Sequence, residues 1–193
     1  MSVLRYVTHP NVLVDPDTPV PHWRLNDLGR ARVHAMLSQP WVPGVQRLVS
    51  SGETKAIETA SILAGHLDLD VDVRPDTGEI DRTSTGYVSS ERHESLADRC
   101  FSNPTESAEG WERAVDAQSR IVGAVADLLD PDGPSTVVVG HGGVGTLLYC
   151  HLTNQPIARR HDQPGQGHYW SFDVDSGQML HGWRAIDDLD PRS

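Results

Sequence analysis

Apolar and polar positions alternate along this chain in blocks of strand and helix length. Val3 to Thr8 is a short apolar run ended by Pro10 and predicts a buried strand. Asn11 to Pro21 is polar, contains Pro16, Pro19 and Pro21, and predicts a loop. Asn26 to Leu37 predicts a helix capped by Asn26, with Leu28, Val33, Met36 and Leu37 near one face. Gln46 to Val49 is a second strand with Ser50-Ser51-Gly52 behind it, and Glu53 to His66 a helix with apolar Ile57, Ala60, Ile62, Leu63 and Ala64. Val71-Asp72-Val73 alternates as a third strand. Trp111 to Leu129 predicts a long amphipathic helix stopped by Asp130-Pro131-Asp132-Gly133-Pro134. Thr136 to Val139 is a β-branched fourth strand, and Gly140-His141-Gly142-Gly143 leads from it into an apolar helix ending near Leu152. His168 to Val174 and Gln178 to Trp183 predict a terminal hairpin around Ser176-Gly177. Residues 74–109 show weak periodicity apart from a helix near Ser90 to Arg99; a stretch that long reads as an excursion over a site.

Strands alternating with helices predict an α/β three-layer sandwich: a central, mostly parallel sheet with helices on both faces, in one domain over residues 1–193. Ligands of such sheets collect at the carboxyl ends of the strands. Three strand ends here carry polar punctuation: Thr8-His9-Pro10, Ser50-Ser51-Gly52 and Gly140-His141-Gly142. His9 and His141 thus follow the first and fourth strands. A neutral imidazole is a usable nucleophile near pH 7, and a second one beside it can donate to an oxyanion.

Charge changes the picture only by exclusion. With 27 acidic residues against 16 Lys plus Arg, the net charge is −11, which disfavours non-specific nucleic-acid binding. It leaves room for a small anionic ligand in a locally positive pocket. No apolar run approaches the length of a membrane span, and Met1 to Tyr6 lacks a signal peptide's apolar stretch. Cys100 and Cys150 are too few for a disulfide framework. These features predict a cytoplasmic protein without membrane or nucleic-acid partners, and leave its oligomeric state open, a homodimer included.

Four stretches carry a resemblance. They are Leu4 to His9, Leu25-Asn26-Asp27-Leu28-Gly29-Arg30-Ala31, Ser50-Ser51-Gly52-Glu53-Thr54-Lys55-Ala56-Ile57-Glu58-Thr59-Ala60, and Val137-Val138-Val139-Gly140-His141-Gly142-Gly143-Val144. Together, over about residues 3 to 152, the chain resembles the histidine phosphatase superfamily in its phosphoglycerate-mutase-like branch. The resemblance implies that His9 attacks phosphorus, that Glu79 protonates the leaving oxygen, and that His141 binds phosphoryl oxygens with Thr8, Lys55 and Gly142. It implies a cofactor-independent phosphomonoesterase acting on a small soluble phosphorylated metabolite. Two further readings remain: phosphoryl transfer of the mutase type, and a catalytically impaired member that binds a ligand or partner.

The chain departs from the family pattern at the site itself. Thr8-His9-Pro10 stands where the family has Arg-His-Gly, Asp15 where it usually has asparagine, and Lys55 where it has its second arginine. Pro10 also removes a backbone donor. Losing charge-assisted bonds of about 1.5–3 kcal/mol weakens phosphate binding by roughly one to two orders of magnitude per bond. Arg82, close to Glu79, is the candidate replacement cation; Arg5 lies too far back along its strand, and Asp81 competes with Glu79 as the acid. Other motifs carry less. Gly140 to Gly145 fits a dinucleotide pattern, but Asp162 follows it in a polar loop rather than at a strand end. Asp15 and Asp17 are similar to the start of haloacid-dehalogenase-type phosphatases, which would need Mg²⁺, but the threonine is misplaced and prolines surround it. The ten histidines form no metal-binding spacing, so no metal is expected. Trp111, Tyr149, Trp170, Trp183 and Cys150 read as packing, Trp23 and Trp41 as staples of the first helix, and Ala158 to Gln166 as a solvated loop.

Overall fold

The computed structural model describes residues 2–189. The strands are β1 (Val3–Thr8), β2 (Arg47–Ser50), β3 (Val71–Val73), β4 (Thr136–Gly140), β5 (His168–Asp173) and β6 (Gln178–Ala185). The helices are α1 (Asp27–Met36), α2 (Thr54–Leu67), α3 (Ser90–Ser102), α4 (Ala114–Val125) and α5 (Gly142–Leu152). One sheet runs in the order β3-β2-β4-β1-β5-β6. The first four of these are mutually parallel; β5 and β6 are added antiparallel as the predicted hairpin. The sheet is therefore mixed, with parallel pairing confined to the half that carries the histidines.

Period-two alternation explains the layers. Leu4, Tyr6, Val138, Trp170 and Phe172 point to one face and pack with α3, α4 and α5. Val7, Leu48, Val137, Val139 and Tyr169 point to the other and pack with α1 and α2. Asn26 caps α1 as expected, its side chain accepting from the Gly29 amide at 2.8 Å. Cys100 and Cys150 are free and buried.

The predicted helix from Trp111 to Leu129 is shorter at both ends. Trp111 to Arg113 are held out of it by tertiary bonds: Trp111 Nε1 donates to Thr85 Oγ1, the Glu112 amide donates to the Asp81 carbonyl, and the Glu112 carboxylate binds Arg120. A single turn of 3₁₀ helix, Ala126–Leu128, follows α4. Arg120 of α4 donates to the carbonyls of Asp76, Gly78 and Glu79, which anchors the 74–109 excursion to α4.

Tyr6 ties β1 to the start of α5. Its buried hydroxyl accepts from the His141 amide (3.0 Å) and donates to the His141 carbonyl (3.1 Å). Its ring stacks on Trp170 at 5.3 Å. A Cβ at Gly145 would lie 2.4 Å from the Tyr6 ring, whereas one at Gly123, on the exposed side of α4, would meet nothing. Denaturant unfolding should therefore show Gly145→Ala destabilised by about 1–3 kcal/mol through overpacking. Gly123→Ala should gain about 0.4–1 kcal/mol by restricting the unfolded chain.

Candidate active site

The site follows from strand register. Thr8 pairs with Gly140 in the parallel β1–β4 ladder, so the next residue of each strand, His9 and His141, emerge side by side. Their ring centroids lie 5.3 Å apart at 66°. Ser50 pairs with Val139, which brings Ser51 and the start of α2 to the same edge.

Pro10, which offers no amide proton, contributes its carbonyl instead: His9 Nδ1 lies 2.9 Å from Pro10 O. A carbonyl can only accept, so Nδ1 carries the proton and Nε2 the lone pair. His9 lines a cavity of about 580 Å³, and its Nε2 has no hydrogen-bond partner among the described residues. Burial, then the neighbouring His141 and Lys55, push the His9 pKa down to about 3, so the ring is neutral at physiological pH.

His141 is buried beside this cavity. Its Nε2 is 2.6 Å from Ser51 Oγ and 3.3 Å from Glu53 Oε1. Its Nδ1 is buried without a partner among the described residues, the kind of orphan that calls for a ligand or ion. Burial lowers the His141 pKa, although Glu53 and Glu79 oppose the shift. Glu53 is the N-cap residue of α2, and its carboxylate receives the Lys55 ammonium and the Glu79 amide. Burial raises the Glu53 pKa, but His141 and Lys55 outweigh it and bring it down to about 2. Lys55 is itself buried and also donates to the Val20 carbonyl at 3.0 Å.

Glu79 sits at the amino end of α5. Its oxygens accept from the amides of Gly143 (3.1 Å), Val144 (3.0 Å) and Ile80 (2.9 Å). A Cβ at Gly143 would lie 2.6 Å from Glu79 Oε1, so glycine is what admits the carboxylate. Burial pushes its pKa up, yet His141, Arg82 and these amides win, and Glu79 rests as the carboxylate.

The cavity wall also carries Lys55, Arg82, Gly142, Arg159, Asp162 and Gln163. Arg159 is spoken for by Glu94, Asp98 and Asp162. Arg82 is paired with no carboxylate among the described residues: it donates to His93 Nε2 and lies over the Trp111 ring. Trp23 and Tyr87, with centroids 5.6 Å apart, line the cavity further out.

Of the residues expected at the site, His9, Glu79, Lys55, Arg82 and Gly142 line this cavity, and His141 adjoins His9. Thr8 does not face it, which corrects the expectation of a hydroxyl in the oxyanion lining. It is fully buried, and its hydroxyl bonds Gln163 Oε1 and the backbone of His168, because β1 alternation turns it away from the His9 side. Asp15 closes its own turn with Thr18 and Asp17 and is no part of the cavity. Asp81 binds the Thr83 amide, and Arg5 packs over Trp41. The 158–166 segment, expected as a solvated loop, supplies Arg159, Asp162 and Gln163 to the wall. Sequence reasoning missed Glu53 and Gln163. Glu53 sat inside a quoted motif at the right strand end; nothing local marks Gln163.

The model of the histidine phosphatase superfamily (branch 1) matches residues 16–179, most of the chain, starting just beyond His9. The chain belongs to the histidine phosphatase superfamily. It is similar in fold to a mycobacterial glucosyl-3-phosphoglycerate phosphatase solved with inorganic phosphate (TM-score 0.76, 20% identity, 97% of this chain and 100% of that one). It is also similar to a putative alpha-ribazole-5'-P phosphatase of Escherichia coli (0.75, 17%, 96% and 98%). A third is the phosphoserine phosphatase of Entamoeba histolytica in complex with 3-phosphoglyceric acid (0.72, 17%, 96% and 98%). No curated protein matches the chain. Among the described residues no helix is long and apolar enough to cross a membrane.

The buried histidines give this member a pH signature. The folded His9 pKa of about 3 lies below the unfolded 6.5, so between these values the unfolded chain binds a proton that the fold refuses. Stability then falls as pH drops through that window, by up to about 1.4 kcal/mol per pH unit for each such group. His141 adds a loss of the same sign. Chemical denaturation from pH 7 downward should show a shallower decline in His9→Gln than in wild type.

Proposed function

We propose that this superfamily member is a phosphomonoesterase acting on a small phosphorylated metabolite through a phosphohistidine on His9. The observation that carries the reading is an unprotonated, unpartnered Nε2 on His9 lining a cavity at the amino end of α5, with the orphaned Nδ1 of His141 next to it. A phosphoryl group between the rings would take the His9 lone pair at phosphorus and, with Ser51 Oγ donating to His141 Nε2, the proton of His141 Nδ1 at one of its oxygens.

In the first step the Nε2 lone pair forms the N–P bond. The ester P–O bond breaks, and its electron pair stays on the leaving oxygen, which takes a proton from Glu79. The Nδ1–H bond to Pro10 O supports the positive charge that the ring acquires. Glu79 rests ionised, but a phosphoryl dianion beside it raises its pKa by like charge, so a substrate bound as the monoanion can hand it the proton it needs. In the second step water attacks phosphorus, the N–P electron pair returns to Nε2, and Glu79 accepts the water proton. Catalysis here is positioning plus electrostatics: His141, Arg82 and the amino end of α5, whose Gly143 and Val144 amides hold Glu79, lie around the developing charge. Lys55 and Arg159 already answer carboxylates, which leaves cationic lining for one phosphoryl group and favours hydrolysis over mutase-type transfer.

Phosphate release from a panel of phosphomonoesters tests the proposal. Wild type should turn over at least one, and His9→Ala should lose about 10³-fold or more in kcat. Acid quenching should destroy, and alkaline quenching preserve, a phosphoryl group trapped on wild type. Arg82→Ala should raise KM about tenfold, the value of one hydrogen bond to a charged group. A wild type silent on the whole panel, yet raised in melting temperature by one of its members, would instead support the ligand-binding reading.

A further inference from the structure

Gln163 lines the cavity from the segment before β5, next to Asp162 and well beyond His9, Glu79 and His141 in sequence. Three observations fix its amide. First, Thr8 Oγ1 lies 2.6 Å from Gln163 Oε1, a separation proper to O–H···O and short for N–H···O. Thr8 Oγ1 also accepts the His168 amide at 3.0 Å, which leaves its single proton for Gln163; the other acceptor in reach, the His168 carbonyl, is farther at 3.2 Å. The carboxamide oxygen therefore faces Thr8, and the NH₂ faces away. Second, that NH₂ lies against the amino end of α5, where a Cβ at Gly142 would come within 2.4 Å of Gln163 Nε2. Third, Nε2 makes no hydrogen bond among the described residues, while the Gln163 backbone is pinned through its amide to Asp162 Oδ1 at 2.9 Å. A cavity-lining donor with a fixed direction, beside the positive end of α5, is placed to meet an oxygen of a bound anion.

We propose that Gln163, oriented by Thr8 and admitted by Gly142, donates to a phosphoryl oxygen held next to His9. The proposal rests on the phosphatase reading for its ligand. It gives Thr8 a role through another residue: Thr8 positions the donor and does not touch the anion. The donor is a neutral amide, so it adds direction without adding charge to a wall that already carries Lys55, Arg82, Arg159, Glu79, Glu94 and Asp162.

Calorimetric titration with orthovanadate and with inorganic phosphate tests this without requiring turnover. Gln163→Ala should weaken binding about tenfold, and Gln163→Glu more than that, through lost donation plus repulsion. Thr8→Val should reproduce Gln163→Ala although Thr8 makes no contact with the ligand, and Thr8→Ser should restore near wild-type affinity. Gly142→Ala should also weaken binding, but add little in a Gln163→Ala background, because its effect passes through the displaced amide. Should Thr8→Val fail to fold, the Gly142 and Gln163 cycle stands alone. Affinity within about twofold of wild type in Gln163→Ala, or additive losses in the cycle, overturns the proposal. A protein that hydrolyses phosphomonoesters with Gln163→Ala unimpaired would overturn it and leave the activity standing. Gln163-dependent vanadate binding without any hydrolysis would do the reverse.

Discussion

The bond between His9 Nδ1 and the Pro10 carbonyl decides what the cavity can do. A carbonyl accepts and never donates, so it holds the ring in one tautomer and presents the Nε2 lone pair to the cavity. Burial then keeps the ring from protonating, and the adjacent His141 and Lys55 work in the same direction. Every other feature is arranged around that neutral ring. Glu53 neutralises Lys55, Glu79 is fixed by helix amides, and Arg82 is left without a carboxylate among the described residues. Thr8, before His9, brings no fixed charge to the site, but the atom that would attack phosphorus is prepared by a backbone contact that Pro10 offers.

The parallel half of the sheet supplies the geometry. Strands β1, β2 and β4 end together, and register alone brings His9, His141 and Ser51 within reach of one another. Tyr6 locks the arrangement, because its hydroxyl takes up both backbone groups of His141 while its ring fills the core beneath α5. The antiparallel hairpin of β5 and β6 has a separate use: the segment leading into it carries Gln163 and Asp162 to the cavity wall.

Much of this was legible in the chain. The apolar runs placed the strands, and the polar residues after three of them placed the site. What stayed hidden depends on contacts between distant segments. Thr8 looked like an oxyanion donor because it precedes His9, yet alternation along β1 turns it to the opposite side. Gln163 lies in a polar loop whose composition says nothing of the Thr8 hydroxyl that it meets. The start of α4 was misplaced because Trp111 and Glu112 exchange helical bonds for partners in the excursion. Glu53 was written into a motif, but only the fold shows its carboxylate between Lys55 and His141.

Nitrogen-15 NMR of the histidine rings, followed as pH is lowered, reads the tautomer and charge of His9. His9 should keep a protonated Nδ1 and a bare Nε2 at about pH 5, between its reference value of 6.5 and its folded value of about 3. A His9 ring that titrates near 6.5, or that carries its neutral proton on Nε2, would contradict it.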